Sequence, residues 1–147
     1  MKTQPTMTKE QFTKRLTTLC LRGGSTGFPK NEIDEHILLK SAVLVIPPAE
    51  FSSEVEINEA LQYWVDDINT GTLIDYGMLR RRLIDTVYLT RERDGSSYQI
   101  ARPGPCPGLF EDDIEQVNVA EVIQRGREEI ERRKQEYMQK ARAAKKS

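Results

Sequence analysis

One histidine and two cysteines are the only nitrogen and sulfur metal ligands of the usual kind in this chain of 147 residues. His36 stands alone, and Cys20 and Cys106 lie too far apart for a Cys-rich ligand set. No structural zinc is therefore expected, and no metal or other cofactor. Cys20 falls in a helical pattern as an ordinary small apolar residue, and His36, beside Asp34 and Glu35, reads as solvated or half-buried. No apolar run approaches the roughly 18 residues that span a bilayer. The opening MKTQPTMTKEQ also lacks the apolar centre of a signal peptide. The expectation is a cytoplasmic protein with no membrane partner, in which a disulfide is out of place. No nucleophile has a base close by in sequence, and the acid pairs Asp66-Asp67 and Asp112-Asp113 have no accompanying ligands, so no catalytic residue and no enzyme activity are expected. The run Gly23-Gly24-Ser25-Thr26-Gly27 lacks the lysine spacing of a phosphate loop and follows a helix rather than a strand. No internal repeat is present.

With 37% apolar residues and 31% charged residues, the chain can fill one modest core and decorate it heavily. Thr8 and Gln11 are spaced as a capping box, and Phe12, Leu16 and Leu19 form the inner stripe of a short helix ending at Gly23-Gly24. A second helix follows Pro29 and carries Ile33, Ile37, Leu38, Val43, Leu44 and Val45 before Pro47-Pro48 stops it. Its second half is apolar nearly all round, which marks it as the centre of the core.

Ser53 and Glu56 make a second capping box, after which Ile57, Leu61, Trp64, Val65 and Ile68 recur at helical steps to about Asp67. Asn69-Thr70-Gly71-Thr72 breaks the pattern, with Gly71 expected to supply positive φ. Asp75 can cap the next helix, whose inner stripe is Leu79, Leu83 and Val87 while Arg80, Arg81 and Arg82 fan outward. Alternation then takes over on either side of Asp94-Gly95, a hairpin turn pair. Helix, helix, hairpin is the order of a winged helix-turn-helix. The fold class expected is mainly α: a winged helix-turn-helix-like core with a two-stranded hairpin, plus a long C-terminal helix. Residues 1–101 form the domain, with the helix-turn-helix at about 53–86 and the wing at about 87–101. Arg102 to Gly108 is rich in proline and glycine, so 102–110 reads as a linker and 111–147 as a long charged helix.

These elements resemble a known family. Phe28-Pro29-Lys30, Glu54, Glu56-Ile57-Asn58, Leu61, Asp75, Leu79-Arg80-Arg81, Leu83-Ile84-Asp85, Leu89, Arg91, Gly95 and Tyr98 together resemble a prokaryotic domain of unknown function that occurs alone and fused to helix-turn-helix transcriptional regulators. The resemblance spans Phe28 to Ile100 and implies a prokaryotic intracellular protein linked to transcription, with no established activity. The connection from Ile68 to Ile74 is longer than the family pattern, and the tail after Arg102 lies outside it.

Charge is unevenly placed. Residues 50–75 hold seven acids and no base, whereas residues 123–147 hold nine bases against four acids. Two functions follow from this. In one, a DNA-binding transcriptional regulator or accessory factor sets Arg80 and Arg81 in the major groove of double-stranded DNA and Arg91 and Arg93 on phosphates. In the other, a winged-helix protein-interaction module presents the acidic helix 54–67, and the arginines only pair with Asp66, Asp67 or Glu56. On the tail helix, Ile123, Ile130 and Tyr137 fall seven apart as an interaction stripe, interrupted by Gly126. The stripe would serve a homodimer or dock on its own domain.

Overall fold

A computed structural model describes residues 6–22, 27–49 and 51–146. The end of the first helix at Gly23-Gly24 and most of the glycine run that follows lie outside the described residues. Among the described residues five α-helices and one hairpin follow in the order α1 (Lys9–Arg22), α2 (Glu32–Val45), α3 (Glu54–Tyr63), α4 (Tyr76–Asp85), β1 (Leu89–Arg91), β2 (Tyr98–Ile100) and α5 (Val119–Lys146). The chain is thus mainly helical, with a small antiparallel hairpin and a long C-terminal helix.

Local chemistry starts the helices where the sequence says. Thr8 and Gln11 exchange backbone and side-chain hydrogen bonds of 3.0 and 3.1 Å ahead of α1, and Ser53 and Glu56 do the same ahead of α3. Asn31 and Asp75 accept from the amides of Asp34 and Met78 to cap α2 and α4. These bonds satisfy amides that the first helical turn leaves without partners.

The core closes around α2. Ile37, Leu38, Leu39, Ser41, Ala42 and Val43 are all buried, so neighbours cover the second half of this helix, while Ile33 in its first turn is exposed. From α3 come Ile57, Leu61 and Trp64, and the helix continues through one wider turn, Trp64–Ile68, in which the Asn69 amide reaches back to the Trp64 carbonyl at 2.8 Å. Both Trp64 and Ile68 point inward as a result. Gly71 does not adopt positive φ; its amide donates to the Cys20 carbonyl and ties the α3–α4 connection to the end of α1. Cys20 is itself fully buried, and burial pushes its thiol up to about 12.

In the hairpin Leu89 pairs with Ile100 and Arg91 with Tyr98. Ser52, just ahead of α3, adds a further rung on the other edge of β2, exchanging bonds of 2.9 and 2.7 Å with Tyr98. Val87 does not extend the inner stripe of α4 as its spacing predicts. It has left the helix, is half exposed, and has a φ of 63°. The amide of Val87 bonds to the Ile84 carbonyl and that of Tyr88 to the Leu83 carbonyl, the pattern of a helix end whose left-handed position usually belongs to glycine.

The charged helix begins at Val119, later than the 111 expected, because residues 112–116 take a tighter helical turn and Asn118 then caps the new helix through the Glu121 amide. Upstream, residues 102–110 lie against the core: Met7 exchanges backbone bonds with Leu109 and Glu111, and the Phe110 ring meets Phe12 edge-on at 5.6 Å. Val119 and Ile123 are buried in the common core, whereas every residue from 131 to 145 is exposed. Along α5, Glu129 pairs with Arg133 one turn on, and Arg132 is held by Glu129 and Glu136.

Gly126, which interrupts the apolar stripe in sequence, is where α5 meets α1. A Cβ there would stand 2.5 Å from Cγ2 of Thr17 and 3.0 Å from Leu21. Thr17 cannot turn away without giving up its 2.8 Å bond to the Thr13 carbonyl. Gly126→Ala gains about 1 kcal/mol in helix propensity but incurs an overpacking cost of roughly 1–3 kcal/mol. The expected net loss is about 1 kcal/mol, measured as a lower urea midpoint; a raised midpoint would mean the two helices separate freely. Val87→Gly should act in the opposite sense. Relief of the left-handed strain, about 1–2 kcal/mol, exceeds the extra chain entropy of glycine, about 0.5–1 kcal/mol. The midpoint should rise, and a fall would show that the valine side chain contributes more than its backbone costs.

Candidate nucleic-acid interface

Three consecutive arginines on a helix point about 100° apart, and each finds a different environment. Arg80 turns toward α3, its Nη1 donating to Asn58 Oδ1 at 2.7 Å and to Glu54 Oε1 at 3.1 Å, with only 25% of the side chain exposed. Arg82 donates to Glu35 on α2, which raises its already high pKa further. Arg81 is 86% exposed, and its nearest carboxylate is Asp85 at 4.0 Å, one turn along the same helix. Arg80 and Arg81 thus meet different surroundings: Arg80 braces α4 against α3, and Arg81 is largely open to solvent. The expected pairing with Asp66, Asp67 or Glu56 is corrected, since the acids used are Glu54, Asp85 and Glu35.

The hairpin carries the other two candidates. Arg91 ends β1 and Arg93 lies in the turn; both are exposed, and neither has an ion pair among the described residues. Of the pair Asp94-Gly95, only Gly95 uses positive φ, at 75°, and its amide closes the turn on the Glu92 carbonyl at 2.9 Å. Asp94 works instead through its carboxylate, which accepts from the hydroxyl of Ser96 at 2.6 Å and from its amide at 2.9 Å; these bonds hold it below the usual carboxylate range.

Acids occupy the neighbouring surface. Glu59, Asp66 and Asp67 are exposed along α3 and its wider last turn, while Glu56 is spent on its own cap, where the Ser53 amide lowers its pKa. Exposed apolar side chains are Val55 and Tyr63 on α3, Leu73 in the connection, and Tyr76 and Met78 at the start of α4. The three residues of the α5 stripe are not equivalent. Ile123 is fully buried in its own core, Ile130 is half-buried, and Tyr137 is 75% exposed.

One cluster escapes sequence reading. The Tyr88 hydroxyl lies 2.8 Å from His36 Nδ1, Cys106 Sγ lies 3.5 Å from Nε2 of the same ring, and Glu32 stands 4.0 Å away. Tyr88 and Cys106 are 52 and 70 positions from His36 in the chain, so no local motif announces them. Burial, then the Glu32 charge, raises the Cys106 pKa, which favours the thiol over the nucleophilic thiolate. Among the described residues no group of three or more His, Cys, Asp or Glu side chains converges to hold a metal ion.

A family model described as an uncharacterized protein conserved in bacteria (DUF2087) matches residues 26–100, half of the chain, from the loop before α2 to the end of β2. No curated protein and no solved structure matches. The matched span holds Arg80, Arg81, Arg91 and Arg93 but not α1 or α5.

The different roles of Arg80 and Arg81 are separable by experiment. Arg80→Ala leaves Glu54 and Asn58 without their partner and should cost about 1 kcal/mol, the upper range for a partly exposed pair. Arg81→Ala should stay within about 0.5 kcal/mol of wild type. Urea melts of both variants check this, and equal midpoints would remove the bracing role of Arg80.

Proposed function

The chain belongs to DUF2087, a family of uncharacterized proteins conserved in bacteria, and from that premise we propose that it is a DNA-binding transcriptional regulator or accessory factor of the winged helix-turn-helix kind. The carrying observation is that Arg81, Arg91 and Arg93 are exposed without a close ion pair, while Arg80 and Arg82 on the same helix are taken up by internal acids. Helix α2, the Ser52 rung, α3, α4 and the hairpin follow one another as a winged helix does. In that arrangement α4 enters the major groove and the hairpin lies along the backbone. Tyr76, Met78 and Arg81 would then be the side chains that α4 offers to base edges, and Arg91 and Arg93 the phosphate contacts. A homodimer through α5 has little to draw on, because Ile123 is spent in its own core.

A second reading has a specific observation of its own. The exposed apolar residues Val55 and Tyr63 share α3 with the exposed acids Glu54, Glu56 and Glu59, a surface suited to a basic, partly apolar protein partner.

Fluorescence anisotropy with a labelled duplex separates the two. On the DNA reading, log affinity falls linearly with log salt, and Arg81→Glu weakens binding and flattens that slope by roughly one to two phosphate equivalents. Arg91→Gln with Arg93→Gln should flatten it by about two. A folded wild type that binds no duplex at low ionic strength overturns the DNA reading and leaves the acidic surface of α3 as the interface.

A further inference from the structure

We infer that the cleft between α1 and α5 is a second phosphate-binding surface, one that takes the phosphodiester backbone of a nucleic acid through Lys14, Arg22 and Arg133. The inference rests on the nucleic-acid reading for its ligand class, but not on α4 or the hairpin. At Gly126 the two helices touch, and beside this contact they enclose a cleft of about 310 Å³. Its rim is cationic. Lys14 and Arg22, two turns apart on α1, are exposed and their side chains have no hydrogen bond or ion pair among the described residues, while Arg133, paired with Glu129 on its own helix, faces them from α5. Four other cations are tied to acids of a different element: Arg15 to Asp34, Lys40 to Glu115, Arg80 to Glu54 and Arg82 to Glu35. The one carboxylate in the cleft, Glu129, is already held by Arg132 and Arg133, which lower its pKa.

Length decides the kind of anion. Tyr137 and Lys140 follow Arg133 at steps of four and three residues and so continue the same helix face. Lys134, Arg142 and Lys145 add charge around the same exposed rod. A compact anion would use only the cleft, whereas a polyanion can follow the whole cationic track, with the Tyr137 ring available for a sugar or base to lie against.

The test is anisotropy with a labelled duplex across a salt series on full-length protein, using the double variant Lys14→Gln/Arg22→Gln. Both side chains are exposed and have no ion pair among the described residues, so the melting temperature should not move. The salt slope should fall by about 1.8, the value for two phosphates, and affinity at low salt by about tenfold or more. The charge-keeping variant Lys14→Arg/Arg22→Lys should restore both. Wild-type affinity and slope in the glutamine variant would overturn the cleft; if Arg81→Glu weakens binding in the same series, the reading of α4 survives that failure. Weakening by the cleft variant alone, with Arg81, Arg91 and Arg93 variants unchanged, would keep the cleft and remove α4. Inorganic pyrophosphate is the remaining probe. If it stabilises the wild type but not the glutamine variant, while both bind duplex equally, the cleft holds a small phosphate compound and the nucleic-acid assignment is overturned.

Discussion

The indole N–H of Trp64 is a donor buried in the centre of the core, and the fold depends on where that donor is satisfied. It meets the Ser41 hydroxyl at 2.8 Å, and Ser41 in turn donates to the Leu38 carbonyl one turn back on α2. A donor left without a partner at such a depth costs about 1–3 kcal/mol, so the rotation of α3 about its own axis is set once Ser41 is in place. That rotation sends Ile57 and Leu61 inward and leaves Glu54 and Asn58 where Arg80 can reach them. The orientation of α4, and with it the exposure of Arg81, thus traces back through two helices to one hydrogen bond. The wider turn at Trp64–Ile68 serves the same end, since it keeps two large apolar side chains on the core side while Asp66 and Asp67 stay outside.

Pairing divides the cations into two populations. Those bridging one element to another hold acids of a different helix and are part of the scaffold. The rest either pair within their own helix, as Arg81, Arg125, Arg132 and Arg133 do, or have no ion pair among the described residues, on the hairpin, along α1 and α5, and at Lys30 and Arg102. Exposed pairs contribute little to stability individually, so the paired set matters chiefly for orientation. The unpaired set matters through the field it presents to solvent. Nothing in composition separates the two, because a net charge of -1 sums over both.

The parts legible in the sequence are those decided within four or five residues. Both capping boxes, the Asp75 cap and the hairpin at Gly95 rest on local hydrogen bonds and backbone preferences, and the apolar steps of α2 and α3 report burial at Ile37, Leu38, Val43, Ile57, Leu61 and Ile68, though not at the exposed Ile33. What stayed hidden was decided by partners far along the chain. Arg80 and Arg81 are neighbours in sequence with identical side chains, and only Glu54 and Asn58, more than 20 residues away, distinguish them. Gly126 looked like a gap in a stripe because its reason is Thr17, on another helix. Val87 resembled a further core position because β-branched residues rarely occupy left-handed backbone, so the pattern gave no hint that the helix had already ended. The His36, Tyr88 and Cys106 cluster had no sequence signal at all.

The exposed stretch of α5 has an electrical consequence. From 131 to 145 the helix stands clear of the core, and at about 1.5 Å per residue it extends some ~22 Å. The screening length of physiological salt is about 8 Å, so most of this arm lies well beyond the reach of the acidic charges on α3. A molecule approaching the arm meets a strongly positive body, and one approaching α3 meets a negative one. The chain is in effect two bodies of opposite polarity joined by one continuous helix. Lowering the ionic strength far enough to bring the two within one screening length would make each face weaken the other's attraction for its partner.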